Sequence, residues 1–147
     1  MTTVRQLLLQ KGTDVWTVDC KSTLRDAIKL MANKGVGAVL ILDGEKITGI
    51  FSERDYVRES AKVDGLSLTT PINNLMTHLV FYIQPDATVD ECMALMTEKK
   101  FRHLPVVENE KLVGLISIGD VVKQYISQKD IHIRSLESYI LGREYNQ

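Results

Sequence analysis

Cysteine is nearly absent from this chain, and the two that occur exclude more than they suggest. Cys20 and Cys92 are too few for a disulfide framework, and neither has a second Cys or a His nearby at metal-ligand spacing. Cys92 is expected in a helix core and Cys20 in a loop. Net charge is scarce too: 18 basic and 19 acidic side chains give −1, no electrostatic footprint for nucleic acid or an anionic membrane. No apolar run approaches a membrane span, and Met1–Arg5 opens without the basic region and long apolar stretch of a secretory signal. A cytoplasmic location is the expectation. Missing as well are HExxH, CxxC and a nucleophile elbow followed by Asp and His. Gly35 and Gly37 sit after a helical pattern and before a strand pattern, the reverse of a dinucleotide-binding fingerprint, and the third glycine is lacking. These gaps point away from an enzyme, a catalytic cofactor or a metal.

What the chain does contain is a copy of itself. Shifted by 65 residues, Thr23–Val57 aligns with Thr88–Val122 without a gap, and ten of 35 positions are identical. Chance gives roughly two, so the match is an internal repeat. The identities gather at Gly49–Asp55 and Gly114–Asp120, where each copy passes from a short apolar strand straight into a helix. A unit of about 60 residues buries only a modest core alone, so the two copies are expected to pack together.

Local patterns then order the elements. Val4–Lys11 has helical spacing of Val4, Leu7 and Leu8 and ends at Gly12, which suits a left-handed cap. Val15–Val18 is a brief strand. Ser22 or Thr23 caps a helix to about Lys34, and Gly35 stops it. Ala38–Leu42 and Ile47–Phe51, joined through Asp43-Gly44, form a β-hairpin, and a helix follows from about Glu53 to Lys62. The polar stretch from Val63 to Thr70 is a linker. The second copy repeats the order: a short helix over Thr70–Met76, a strand at Val80–Ile83, a helix over Thr88–Lys99, strands at Leu104–Val107 and Leu112–Ser117, and a helix over Ile118–Gln128. The tail, Lys129–Gln147, carries an apolar stripe that is expected to pack on the body or on a second subunit.

The chemistry suggested by the repeat lies at its strand-to-helix corner. A helix start presents unpaired N–H groups and partial positive charge, suited to a phosphate. A carboxylate three residues after the serine, Asp55 or Asp120, is able to accept from two vicinal hydroxyls, as in a ribose. Ser52 and Ser117 add hydroxyl contacts. The same Ser-x-x-Asp spacing is also an ordinary capping box. Both readings stand at this level.

The Gly-x-x-Ser-x-x-Asp endings, the hairpins before them and Arg102-His103-Leu104-Pro105-Val106 together resemble tandem cystathionine-β-synthase-type (CBS) domains over about residues 12–128. The resemblance implies an α+β fold of two βαββα repeats about a pseudo-twofold axis, a pair often called a Bateman module. It divides the chain into an N-terminal helical segment (1–12), a first repeat (13–63), a linker (64–71), a second repeat (72–128) and a C-terminal helical tail (129–147). It further implies clefts between the repeats for adenosine-containing ligands such as AMP, ATP, NAD(H) or S-adenosylmethionine, and a homodimer that signals to an effector protein. Carried over, Asp55 and Asp120 hold ribose hydroxyls, with Ser52 and Ser117 beside ribose or phosphate. The strands containing Val18 and Ile83 line the adenine slots.

Gly37 and Ala38, and Arg102 and His103, occupy the strand position from which the family often reaches phosphates. The first copy lacks the basic pair, so unequal clefts are expected. Arg54, matched by Gly119, either swings toward a phosphate or is a solvated helix-start arginine. His103 is either a ligand contact or a half-buried structural histidine. Tyr82 and Phe81 stack on a base or fill the core, with core filling favoured for Phe81 and for its counterpart Trp16. A structural dimerisation module without nucleotide function is the competing reading.

Overall fold

A computed structural model describes residues 1–128; the predicted tail stripe of 129–147 lies outside the described residues. The fold is α+β. Within these residues five helices, α1 (Val4–Lys11), α2 (Leu24–Lys34), α3 (Glu53–Lys62), α4 (Val89–Lys99) and α5 (Ile118–Gln128), surround five strands, β1 (Thr17–Asp19), β2 (Ala38–Asp43), β3 (Lys46–Ser52), β4 (His103–Glu108) and β5 (Lys111–Ser117). β1 runs parallel to β2, and β2–β3 and β4–β5 are antiparallel hairpins. Each hairpin shifts register at the same place, between Ile41 and Leu42 and between Val106 and Val107.

Side-chain caps set the helix starts. Thr3, Thr23, Ser52 and Thr88 each accept from the backbone N–H three residues on, while the side chain at that position accepts from the cap's own N–H. Thr23, of the two predicted candidates, is the cap of α2. Gly12 differs from expectation: its φ is positive, 103°, but its ψ of 168° is extended, and its N–H still closes α1 on the Leu8 carbonyl.

Two predicted elements shrink. Thr70–Met76 holds only a 3-10 turn, Ile72–Asn74, because Pro71 opens it and the next bonds go to Ile72. Val80–Ile83 is not a strand: Ile83 alone pairs with β4, through Ile83 N–H to the Pro105 carbonyl (3.0 Å) and Val107 N–H to the Ile83 carbonyl (2.9 Å). The apolar residues before it turn instead toward a cleft.

The two cores exchange segments. In the first, Leu24, Ala27, Met31, Val39, Ile41 and Phe51 pack with Ile72, Leu75 and Met76 from the start of the second copy. In the second, Val89, Cys92, Met96, Leu104, Val106, Ile116 and Val121 pack with Val4, Leu7 and Leu8 of α1. Matching backbone bridges fix the exchange, Thr3 to Thr88 and Thr23 to Pro71. Glycines complete it. A Cβ on Gly114 would lie 2.7 Å from a Leu8 methyl, and one on Gly49 would collide with the Met76 sulfur. The glycines of the repeated corner thus admit side chains from the chain itself. Among the described residues no helix is long and apolar enough to cross a membrane, and no group of three or more His, Cys, Asp or Glu is placed to hold a metal ion.

Candidate functional site

Both corners form as capping boxes, and they differ in how their carboxylates are used. Asp55 is buried, with 5% of its side chain exposed. Its Oδ2 accepts from the Ser52 backbone N–H (2.9 Å) and hydroxyl (3.1 Å). Its Oδ1 accepts from the Thr77 hydroxyl (2.9 Å) and from Arg58 Nη2, one helical turn on. Thr77 is held there by two backbone bonds exchanged with Ile50. The crossover that fills the first core with Met76 therefore also delivers a hydroxyl to the corner.

Asp120 is more open, with 25% of its side chain exposed. It accepts from the Ser117 N–H (2.8 Å) and from Lys11 Nζ, which also donates to the Leu115 carbonyl. Burial works to raise the Asp120 pKa, but the Lys11 ammonium and the Ser117 donors outweigh it and hold the carboxyl below its ordinary range. Lys11, at the end of α1, is thus a member of the second corner that the sequence reading left out.

A cleft of about 930 Å³ opens beside the first corner. Gly37, Ser52, Arg54 and Asp55 come to it from the first copy, and Arg102 and His103 from the second. Six of the predicted residues therefore meet in one place. Ser117 and Asp120 build the other corner and do not line this cleft, nor do Val18, Ile83, Tyr82 and Ala38. Val18 packs on the first core and Ile83 on the second, Ala38 is buried and Tyr82 is exposed.

Arg54 is not simply solvated: its Nη1 reaches across to the Lys100 carbonyl at 3.0 Å. Phe81 both packs against the second core and lines the cleft, stacked on Phe101 with centroids 5.6 Å apart and planes 12° from parallel. Lys99 sits over the Phe81 ring at 5.5 Å, and Lys34 sits over Trp16 at 4.4 Å. The Lys34/Lys99 identity in the repeat was the available signal for this pairing. Arg58, Thr77, Lys100 and Phe101 were not singled out from sequence.

His103 stands where the halves meet. A Cβ on Gly37 would lie 2.8 Å from Glu53 Oε1 and 3.4 Å from His103 Nε2, so glycine leaves room for both groups. Burial lowers the His103 pKa against the opposing pull of Glu53, with Lys11, Asp120 and Arg102 as the other charges in reach. The folded state therefore favours neutral imidazole. Stability from this group is present above the unfolded value near 6.5 and is lost as pH falls through the lower folded value. His103→Gln is expected to flatten the stability decline that begins just below pH 6.5, measured by urea unfolding across pH. An unchanged decline would remove His103 as its source.

The sequence matches the CBS domain family twice, over residues 4–62 and 72–127. The chain belongs to the CBS-domain family. It is similar to a putative signal-transduction protein with CBS domains from Burkholderia ambifaria MC40-6, whose solved structure shares 47% identity and a TM-score of 0.83 over 90% of this chain and 99% of that one. The CBS domain-containing protein CBSX3, mitochondrial, of Arabidopsis thaliana is 31% identical over 96% of this chain and 73% of its own length. The solved structure of CBSX2 in complex with AMP is 25% identical, with a TM-score of 0.70, over 88% of this chain and 99% of that one. The repeat seen in the sequence is thus the tandem CBS pair, and the cleft lies between its members.

Proposed function

We propose that the protein is a non-catalytic regulatory module that binds an adenosine-containing ligand in the cleft between its CBS repeats. The carrying observation is that the Ser52–Asp55 corner of one repeat and Arg102 and His103 of the other line the same cavity. In this reading Asp55 and Ser52 take the ribose hydroxyls, while Arg54, Arg102 and His103 face the phosphate and the N-terminus of α3 adds its N–H groups. The adenine lies against the Phe81–Phe101 pair, with Gly37 leaving space beside it. Ser117 and Asp120 form a second, weaker site, because the first repeat offers Gly37 and Ala38 where the second offers Arg102 and His103. The complex of CBSX2 with AMP supports this ligand class, and AMP, ATP and NAD(H) share the adenosine that the corner would recognise. Ligand occupancy would shift the repeats or a homodimer between two states and so signal to an effector protein, which requires unequal affinity for those states.

The alternative is a structural dimerisation module. The observation in its favour is that Asp55 is already fully hydrogen-bonded within the chain. Thermal melts separate the two. A nucleotide at a hundredfold excess over its dissociation constant is expected to stabilise the protein by about 2.7 kcal/mol, and Asp55→Asn to reduce that gain. No shift with AMP, ATP, NADH or S-adenosylmethionine would favour the structural role.

A further inference from the structure

The charge around the first cleft is strongly one-signed, and its interpretation rests on that cleft being a nucleotide site. Five cations line it, Arg54, Arg58, Lys99, Lys100 and Arg102, against two carboxylates, Glu53 and Asp55. Arg58 is committed to Asp55. Glu53 alone then faces four cations, beside an imidazole that burial keeps neutral. Among the described residues, neither the Lys100 nor the Arg102 side chain has an ion-pair or hydrogen-bond partner. The bond from Arg54 to the Lys100 carbonyl draws a further guanidinium onto the same turn.

This concentration belongs to one cleft. The segment Lys99–Arg102 corresponds in the first repeat to Lys34–Gly37, which supplies a single cation, and Arg54 corresponds to Gly119. The Lys100 backbone adds an independent observation. It adopts a left-handed conformation, φ 60° and ψ 40°, at the position where the first repeat has Gly35 at φ 64° and ψ 38°. Glycine adopts that conformation freely and lysine does not. A long cationic side chain is thus kept at the cleft rim at the expense of backbone comfort, a form of strain that gathers at ligand sites.

We propose that this cleft is a nucleoside polyphosphate site, taking an adenosine di- or triphosphate in preference to a monophosphate, with Lys100 and Arg102 on the outer phosphates. A monophosphate dianion answers two of the four cations that no carboxylate among the described residues is paired with, and a triphosphate answers all four. The volume of about 930 Å³ is near the top of the range for small-molecule pockets, which leaves room for a phosphate chain beyond the nucleoside.

Calorimetric titration with adenosine, AMP, ATP and inorganic tripolyphosphate, without divalent cations, tests this. ATP is expected to bind at least about tenfold more tightly than AMP, since one charge-assisted hydrogen bond supplies that much, and with a steeper salt dependence. Lys100→Gly is the informative variant because it relieves the backbone while removing the charge. It is expected to raise the melting temperature of the protein alone, to weaken ATP about tenfold and to weaken AMP less than about threefold. Equal affinity for ATP and AMP, or an equal loss of both in Lys100→Gly, would overturn the proposal. So would tripolyphosphate binding as tightly as ATP, because the nucleoside would then contribute nothing. Binding of adenosine or AMP without a gain for ATP leaves the nucleotide reading intact and removes this one. Failure of all four ligands removes both.

Discussion

Leu8→Ala is expected to cost about 2–5 kcal/mol, the range for a buried leucine whose site cannot fully collapse. Leu8 is 6% exposed, and its methyl groups fill the space that Gly114 leaves by having no Cβ. The loss is large beside a total stability of about 5–15 kcal/mol for an ordinary domain. Urea unfolding measures it, with Leu9→Ala as the control: Leu9 is 81% exposed one position along the same helix, and its change is expected within about 0.5 kcal/mol. A more specific test is the pair Leu8→Ala with Gly114→Ala. Gly114→Ala alone collides with Leu8, whereas in the double variant the new methyl enters the space that Leu8 vacates. The two changes should therefore be strongly non-additive. A Leu8→Ala cost below about 1 kcal/mol, or additive effects in the pair, would mean that α1 rests on the second repeat without being part of its core.

Its place in that core also gives α1 a functional meaning. The helix that completes the second core ends in Lys11, which holds Asp120. On the other side, the turn that completes the first core leads from Met76 into Thr77, which holds Asp55. Each candidate ribose corner is therefore tied to the segment that closes its core. A ligand that displaced Lys11 or Thr77 from its carboxylate would pull on that segment, and binding would then be coupled to packing through single residues.

Much of the fold was legible in the sequence because it is local. The helices, the two hairpins and the Thr23, Thr88 and Ser52 starts follow from capping and periodicity within a few residues, and the copy at a fixed offset doubles each signal. Gly49 and Gly114 repeat at the same offset and leave room for a neighbour, but nothing near them in sequence names Met76 or Leu8 as the approaching side chains. The strand expected at Val80–Ile83 rests on an apolar run, yet Phe81 finds Phe101 and Leu79 stays 73% exposed, so only Ile83 joins the sheet. In Arg54, sequence left two readings, and the bond to the Lys100 carbonyl is set by how the halves meet. The makeup of the cleft is likewise a consequence of that packing, which no local pattern encodes.

Asp55→Ala is expected to cost about 3 kcal/mol, from a lost helix cap and from a donor left without an acceptor. Losing the acid half of the capping box on α3 accounts for about 1 kcal/mol. The remainder comes from the Thr77 hydroxyl, which loses its acceptor at a position with 5% side-chain exposure, at about 1–3 kcal/mol for a group left unsatisfied. The ion pair with Arg58 adds little, because that arginine is half exposed and solvent takes over its charge. Asp120→Ala should cost less, about 1 kcal/mol, since Asp120 is 25% exposed and Lys11 retains the Leu115 carbonyl. Chemical denaturation of both variants checks the order. If Asp120→Ala proves the more damaging, the Thr77 hydroxyl and the burial of Asp55 do not set the stability of the first corner. A buried carboxylate kept in place by four donors is costly to assemble merely as a cap, and Asp120 caps its helix with fewer. Asp55→Asn keeps one acceptor oxygen for Ser52 or Thr77 but loses the charge. In the nucleotide reading it should therefore lose more ligand-induced stabilisation than intrinsic stability, whereas in the structural reading only the intrinsic loss remains to be measured.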